Sequence, residues 1–96
     1  MPAFVISQPT IHDPELMKQY AAKSAPLVAS YGGTYVARTD QVVALDGSFS
    51  GKRIVVMQFP DVDHILRFWG SPEYQELKKL RHAASSGDVW MVPGLD

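Results

Sequence analysis

The chain has 96 residues, 46% of them apolar, with a net charge of −1, three histidines and no cysteine. That suffices for one small domain with its own core, taken as residues 1–96, and an ordinary apolar share speaks against a disordered chain. The absent cysteines exclude disulfides, thiolate metal sites and a cysteine nucleophile, and near-neutral charge without a basic block argues against a nucleic-acid partner.

The first residues, MPAFVISQ, lack the basic start of a signal peptide, and no apolar run is long enough to cross a bilayer. A cytoplasmic location with no membrane partner is therefore expected. Ala3 to Gln8 reads as a strand, with Phe4 and Ile6 on one face and Ala3 and Val5 on the other, so both faces are apolar. Pro9 ends it. Thr10-Ile11-His12 makes a short connection. Asp13-Pro14-Glu15 then starts a helix with a cap, a proline and an acid. The helix runs to about Tyr31, with Leu16, Met17, Tyr20, Ala21, Leu27, Val28 and Tyr31 on its buried side. Pro26 interrupts that pattern, and an interior proline costs roughly 3 kcal/mol. The apolar spacing continues past it, which predicts one bent helix, not two. Gly32-Gly33 closes it.

Thr34 to Arg38 reads as the second strand. Thr39-Asp40-Gln41 interrupts it as a bulge, and Val42 to Leu45 resumes it. Asp46 to Gly51 forms a turn. Ile54 to Phe59 is the third strand, with Ile54, Val56 and Gln58 on one face and Val55, Met57 and Phe59 on the other. A strand with one wet face alternates apolar and polar side chains, and this one does not, so both of its sides should be covered. Pro60 ends the strand and Asp61 caps the next helix, with Asp63 adding negative charge where the helix dipole favours it. Val62, Ile65, Leu66 and Trp69 form its apolar face. Gly70 is expected to stop it in the left-handed conformation. Ser71-Pro72-Glu73 restarts a helix, whose stripe is Tyr74, Leu77, Leu80 and Ala84. Ser86-Gly87-Asp88 turns the chain into a last strand, Val89 to Val92, ended by Pro93-Gly94.

The order β-α-β-β-α-β is the ferredoxin-like plan of the α+β class: a four-stranded antiparallel sheet with helices on one side and the first and third strands at its centre. The helices shelter one sheet face. Roughly half a dozen large apolar side chains remain on the other, each worth about 1.5–3 kcal/mol when buried. A second copy of the chain, packed sheet to sheet as a two-fold homodimer, is the simplest cover.

Gly32-Gly33-Thr34-Tyr35, the strand from Arg53 to Pro60, and above all Phe68-Trp69-Gly70-Ser71-Pro72-Glu73-Tyr74-Gln75 with Arg81 resemble the family called domain of unknown function 1330. The resemblance spans nearly the whole chain. It implies membership of the dimeric α/β-barrel superfamily, in which two ferredoxin-like protomers share a barrel. Relatives in that superfamily include cofactor-free monooxygenases, muconolactone isomerases and haem enzymes. The family itself brings no established reaction. Gly70 departs from the larger residue that many relatives carry after the tryptophan.

Six residues are candidates for a pocket: His12, Arg38, Gln58, Trp69, Tyr74 and Arg81. Arg81 lies near an apolar stripe, so its guanidinium can reach inward to clamp a carboxylate, or serve a structural ion pair. Trp69 and Tyr74 can wall an aromatic pocket, although as helix-face residues they are first of all core. Arg38 and Gln58 are polar groups on apolar strands and need partners if they point inward. His12 is a general base if it faces a cavity, and a solvated loop residue otherwise. His82, among cations near a helix end, is explained by dipole complementarity. Asp61-Val62-Asp63-His64 offers oxygen and nitrogen donors but also reads as a capped helix start, and no metal is expected. No phosphate loop, nucleophile elbow or metalloprotease motif is present, and no cofactor is expected. Two functions remain open. One is a cofactor-independent enzyme, monooxygenase- or isomerase-like, acting on a small organic acid or aromatic compound. The other is a non-catalytic small-molecule-binding or stress-related protein.

Overall fold

In the computed structural model, which describes residues 1–95, β-branched and aromatic runs form strands and amphipathic runs form helices. The elements in chain order are β1 (Ala3–Ser7), β2 (Thr10–Ile11), α1 (Pro14–Ser30), β3 (Thr34–Thr39), β4 (Ile54–Phe59), α2 (Val62–Gly70), α3 (Pro72–Ala84), β5 (Ser85–Ser86) and β6 (Val89–Pro93). The main sheet has the order β3-β4-β1-β6 with every pair antiparallel, so the first and third long strands are central as the sequence implies. Val5 stands opposite Met57 on one side and Met91 on the other. The architecture is α+β, ferredoxin-like, with three helices on one face of the sheet.

The helix ends follow the sequence chemistry. The Asp13 carboxylate accepts from the backbone amides of Glu15 and Leu16, and α1 then runs unbroken through Pro26. Asp61 caps α2 by accepting from the amide of His64. Ser71 caps α3: its hydroxyl accepts from the Tyr74 amide and donates to the Phe68 carbonyl. Gly32 leaves α1 at φ +82°, a left-handed turn that favours glycine. Gly33 sits so close to β4 that a Cβ there would lie 2.7 Å from both the Phe59 ring and Val28. The core is filled by Ala3, Val5, Met57 and Phe59 from the sheet and by Val28, Ile65, Phe68 and Tyr74 from the helices.

Five local expectations need correction. Val42 to Leu45 is not a strand; irregular backbone fills the stretch between β3 and β4. A strand needs a ladder partner, and this arm has none, with Val43 and Leu45 almost fully exposed. The bulge lies earlier, between Tyr35 and Ala37. Thr10-Ile11 is more than a connection, because it pairs with Ser85-Ser86 as a second, two-stranded sheet. Gly70 is the last residue of α2 and is not left-handed; the capping hydroxyl of Ser71 makes that turn unnecessary. Phe68 replaces Leu66 on the buried face of α2, since the stripe centred on Ile65 faces the sheet while Leu66 is turned about 100° away from it.

The other sheet face is open in the single chain. Phe4, Ile6, Ile54 and Val56 are only half buried, and Trp90 and Val92 are exposed. The molecule measures 38 × 38 × 17 Å, the thickness of one sheet and one helix layer, and none of the described elements lies on the far side.

Candidate functional site

A cavity of about 520 Å³ opens between α1, α3 and the helix-facing side of β3 and β4. The bulge in β3 shapes its floor. Tyr35 lies opposite Met57 and Arg38 opposite Val55. Met57 and Val55 share one face of β4, so Tyr35 and Arg38 share one face of β3, although three residues apart in a regular strand they would face opposite ways. Arg53 continues the same face of β4 beyond Val55. Each of these side chains lines the cavity. The Arg38 guanidinium rests over the Tyr35 ring, 4.8 Å from its centroid.

α1 supplies the polar roof. The Ser24 and Tyr35 hydroxyls are 3.3 Å apart, and one turn earlier the Tyr20 and Tyr74 hydroxyls are 3.0 Å apart. Burial pushes the Tyr20 phenol well above its ordinary value of 10.0, the neighbouring Tyr74 and Tyr35 phenols push it further, and nearby Arg81 pulls the other way. Tyr20 is therefore a neutral hydroxyl at physiological pH, able to donate.

The helix break at Ser71 closes the aromatic end. Trp69 ends α2 and Tyr74 begins α3, and their rings pack 5.0 Å apart at 37°. The Arg81 guanidinium stands 5.6 Å from the Trp69 ring centroid and Lys78 Nζ 5.1 Å from it. One Arg81 nitrogen donates toward His82 Nε2 at 3.3 Å. Its Nε is sealed from solvent and, among the described residues, has no hydrogen-bond partner. Lys18, Arg38, Arg53 and Arg81 line the cavity against Glu15 and Asp88. The ion pairs among the described residues are His64–Asp61, Arg67–Asp63 and Lys79–Glu76, and none neutralises a cavity cation. The space thus has aromatic walls and an excess of fixed positive charge, an arrangement that favours a planar anion.

Arg38, Trp69, Tyr74 and Arg81 of the sequence candidates meet here. His12 and Gln58 do not. His12 sits outside the lining, its Nε2 2.8 Å from the Ser86 hydroxyl and its amide bonded to the Ala84 carbonyl. The pairing of β2 with β5 holds it there. Gln58 alternates with buried Met57 and Phe59 and so points to the open sheet face. Tyr20, Ser24, Tyr35 and Arg53 were missed as site residues. Tyr20 and Ser24 are four apart on one helix face, and Arg53 shares parity with Val55 and Met57. Those spacings were the available signal.

Asp61 and His64 cap α2 and bond to each other, His64 Nδ1–H donating to the Asp61 carboxylate at 2.6 Å. That bond and the bonded His64 amide hold the Asp61 carboxyl below its ordinary value of 3.8. Asp63 pairs with Arg67 instead. No group of three or more metal-ligating side chains gathers among the described residues. Nor is any helix among them long and apolar enough to cross a membrane.

The family model described as Domain of unknown function (DUF1330) matches residues 2–95. No curated protein matches the chain. Among solved structures, a protein of unknown function from Rhodopseudomonas palustris is similar at 19% identity and a TM-score of 0.76, over 99% of this chain and 83% of that one. SnoaB, a cofactor-independent oxygenase from Streptomyces nogalater, is similar at 16% identity and a TM-score of 0.71, over 99% of this chain and 94% of its own. At these identities the likeness is one of fold.

Proposed function

The chain belongs to the family of the domain of unknown function DUF1330, and on that footing we propose that it is a homodimeric small-molecule protein whose cavity takes a planar organic anion, a small organic acid or the enolate of an aromatic compound. The observation that carries this reading is the Nε–H of Arg81, sealed beside Trp69 with no partner among the described residues. Leaving a buried donor unmade costs about 1–3 kcal/mol, and more for a charged group. A ligand oxyanion that turns the Arg81 side chain toward it relieves that cost and meets a cation that no carboxylate among the described residues neutralises.

The same geometry supports a cofactor-independent enzyme of the monooxygenase or isomerase kind. Arg81 and the neutral Tyr20 hydroxyl would stabilise the conjugate base of a bound carbon acid, making its C–H easier to ionise. SnoaB, described as a cofactor-independent oxygenase, gives this chemistry a precedent on the fold, not on these residues. One observation favours the non-catalytic alternative: no histidine lines the cavity, and its carboxylates, Glu15 and Asp88, are exposed. The open apolar sheet face supports the homodimer, and a cytoplasmic location belongs to the same proposal.

A thermal-shift series tests the reading. Small aromatic carboxylic acids and their uncharged amides are compared on the wild type and on Arg81→Gln. A ligand at 100 times its Kd adds about 2.7 kcal/mol of stability. Acids should raise the melting temperature, amides should not, and Arg81→Gln should abolish the difference. Equal effects of acid and amide, or none from either, would sink the proposal. Oxygen uptake with the best ligand then separates enzyme from binder.

A further inference from the structure

The cations of the cavity stand at two separate places. Arg81 comes from α3 and lies against Trp69, with its Nε sealed from water. Arg38 and Arg53 come from β3 and β4, and Arg38 is exposed at the mouth over Tyr35. A row of hydroxyls connects the two places. Tyr74 and Tyr20 form the first pair, Ser24 and Tyr35 the second, and Tyr20 and Ser24 are four residues of α1 apart, about 6 Å along its axis.

Between the poles the floor is apolar, made by Val55 and Met57. A monoanion satisfies one pole and leaves the other bare. None of these arginines has an ion-pair partner among the described residues. An aromatic body lying along the hydroxyl row, with an oxyanion at each end, meets both poles and stacks on the walls between them.

Taking the cavity as the ligand site proposed above, we infer that its ligand is a rigid dianion, an aromatic or extended conjugated molecule with one acidic group at Arg81 and a second at Arg38 and Arg53. The inner group takes charge-assisted hydrogen bonds in a water-poor setting, and the outer group is held in a wetter and more salt-sensitive one. The outer pole thus selects among ligands that the inner pole anchors.

Three pairs of probes test this by calorimetry at low and moderate salt: benzoate with benzene-1,4-dicarboxylate, naphthalene-2-carboxylate with naphthalene-2,6-dicarboxylate, and biphenyl-4-carboxylate with biphenyl-4,4′-dicarboxylate. At least one diacid should bind about tenfold tighter than its monoacid, the equivalent of one well-placed charged contact. On the double variant Arg38→Gln, Arg53→Gln each diacid should bind within about twofold of its own monoacid, the scale of a statistical factor, so that the advantage is gone. Both residues are outside the core, so circular dichroism should show an unchanged fold. If monoacids bind but no diacid gains more than about twofold, the dianion inference fails and the anion site stands. The inference also fails if the double variant keeps the diacid advantage. If no acid binds, the parent reading fails and the inference with it.

Discussion

The hydroxyl oxygens of Tyr20 and Tyr74 stand 3.0 Å apart, a polar contact between α1 and α3 above the cavity. Tyr74 is 2% exposed and Tyr20 is half-buried, and each hydroxyl has the other as its hydrogen-bond partner.

Removing either hydroxyl strands its partner. Tyr20→Phe and Tyr74→Phe should each cost about 1–3 kcal/mol in urea unfolding, the penalty of an unsatisfied buried polar group. The double variant should cost clearly less than the two singles together, because no orphan is left. Strictly additive costs would mean that the phenols do not serve each other.

Tyr20 also gives the protein an alkaline limit. Its folded-state value is raised above the unfolded 10.0 by burial first and the neighbouring phenols second. Its protonated form is therefore favoured by folding. The contribution is complete below the unfolded value and fades as pH climbs above it, because the unfolded chain loses the proton first. Thermal unfolding from pH 8 to 11 should show stability falling above about 10. Tyr20→Phe should fall less steeply over that window, and an identical slope in the variant would contradict the assignment.

Gly33 tests the packing of α1 on β4. A Cβ there would meet the Phe59 ring and Val28 at 2.7 Å, closer than real contacts allow, and overpacking of this kind costs about 1–3 kcal/mol. Gly33→Ala should lower the unfolding free energy by that amount. At Gly47, where nothing lies near a Cβ, only the left-handed backbone (φ +75°) opposes alanine, and the loss should be smaller, about 1 kcal/mol.

The architecture was legible from the residues because its signals are local. Period-two strands with apolar faces, the caps at Asp13, Asp61 and Ser71, and the Gly32-Gly33 stop each act over a few positions. Arg81 and Trp69 could be nominated because a cation and an indole at helical spacing share a face. The bulge between Tyr35 and Ala37 was not legible, since it depends on how β3 registers against β4, and it alone brings Tyr35 and Arg38 to the same side. The failed strand at Val42 to Leu45 has the same origin: its residues favour extended backbone, but no neighbouring strand receives them. His12 and Gln58 were excluded by nonlocal facts, the pairing of β2 with β5 and the alternation of β4 against the core.

The open sheet face makes a separate prediction. Ile6 points outward between Val56 and Trp90, so a lysine there can reach water in a lone chain but not in a sheet-to-sheet dimer. Wild type should sediment as a dimer. Ile6→Lys should keep its circular dichroism and dissociate at least about tenfold more readily, the effect of losing one central apolar contact. A wild type that stays monomeric at all concentrations would refute the homodimer.

The most direct test is the Nε–H resonance of Arg81 in a nitrogen-15 NMR spectrum, assigned by its loss in Arg81→Lys. Titration with the tightest-binding aromatic acid should move that resonance downfield in proportion to occupancy, while the matching amide leaves it in place. If the acid binds and the Arg81 signal does not move, the anion does not sit at Arg81 and the proposed site is wrong.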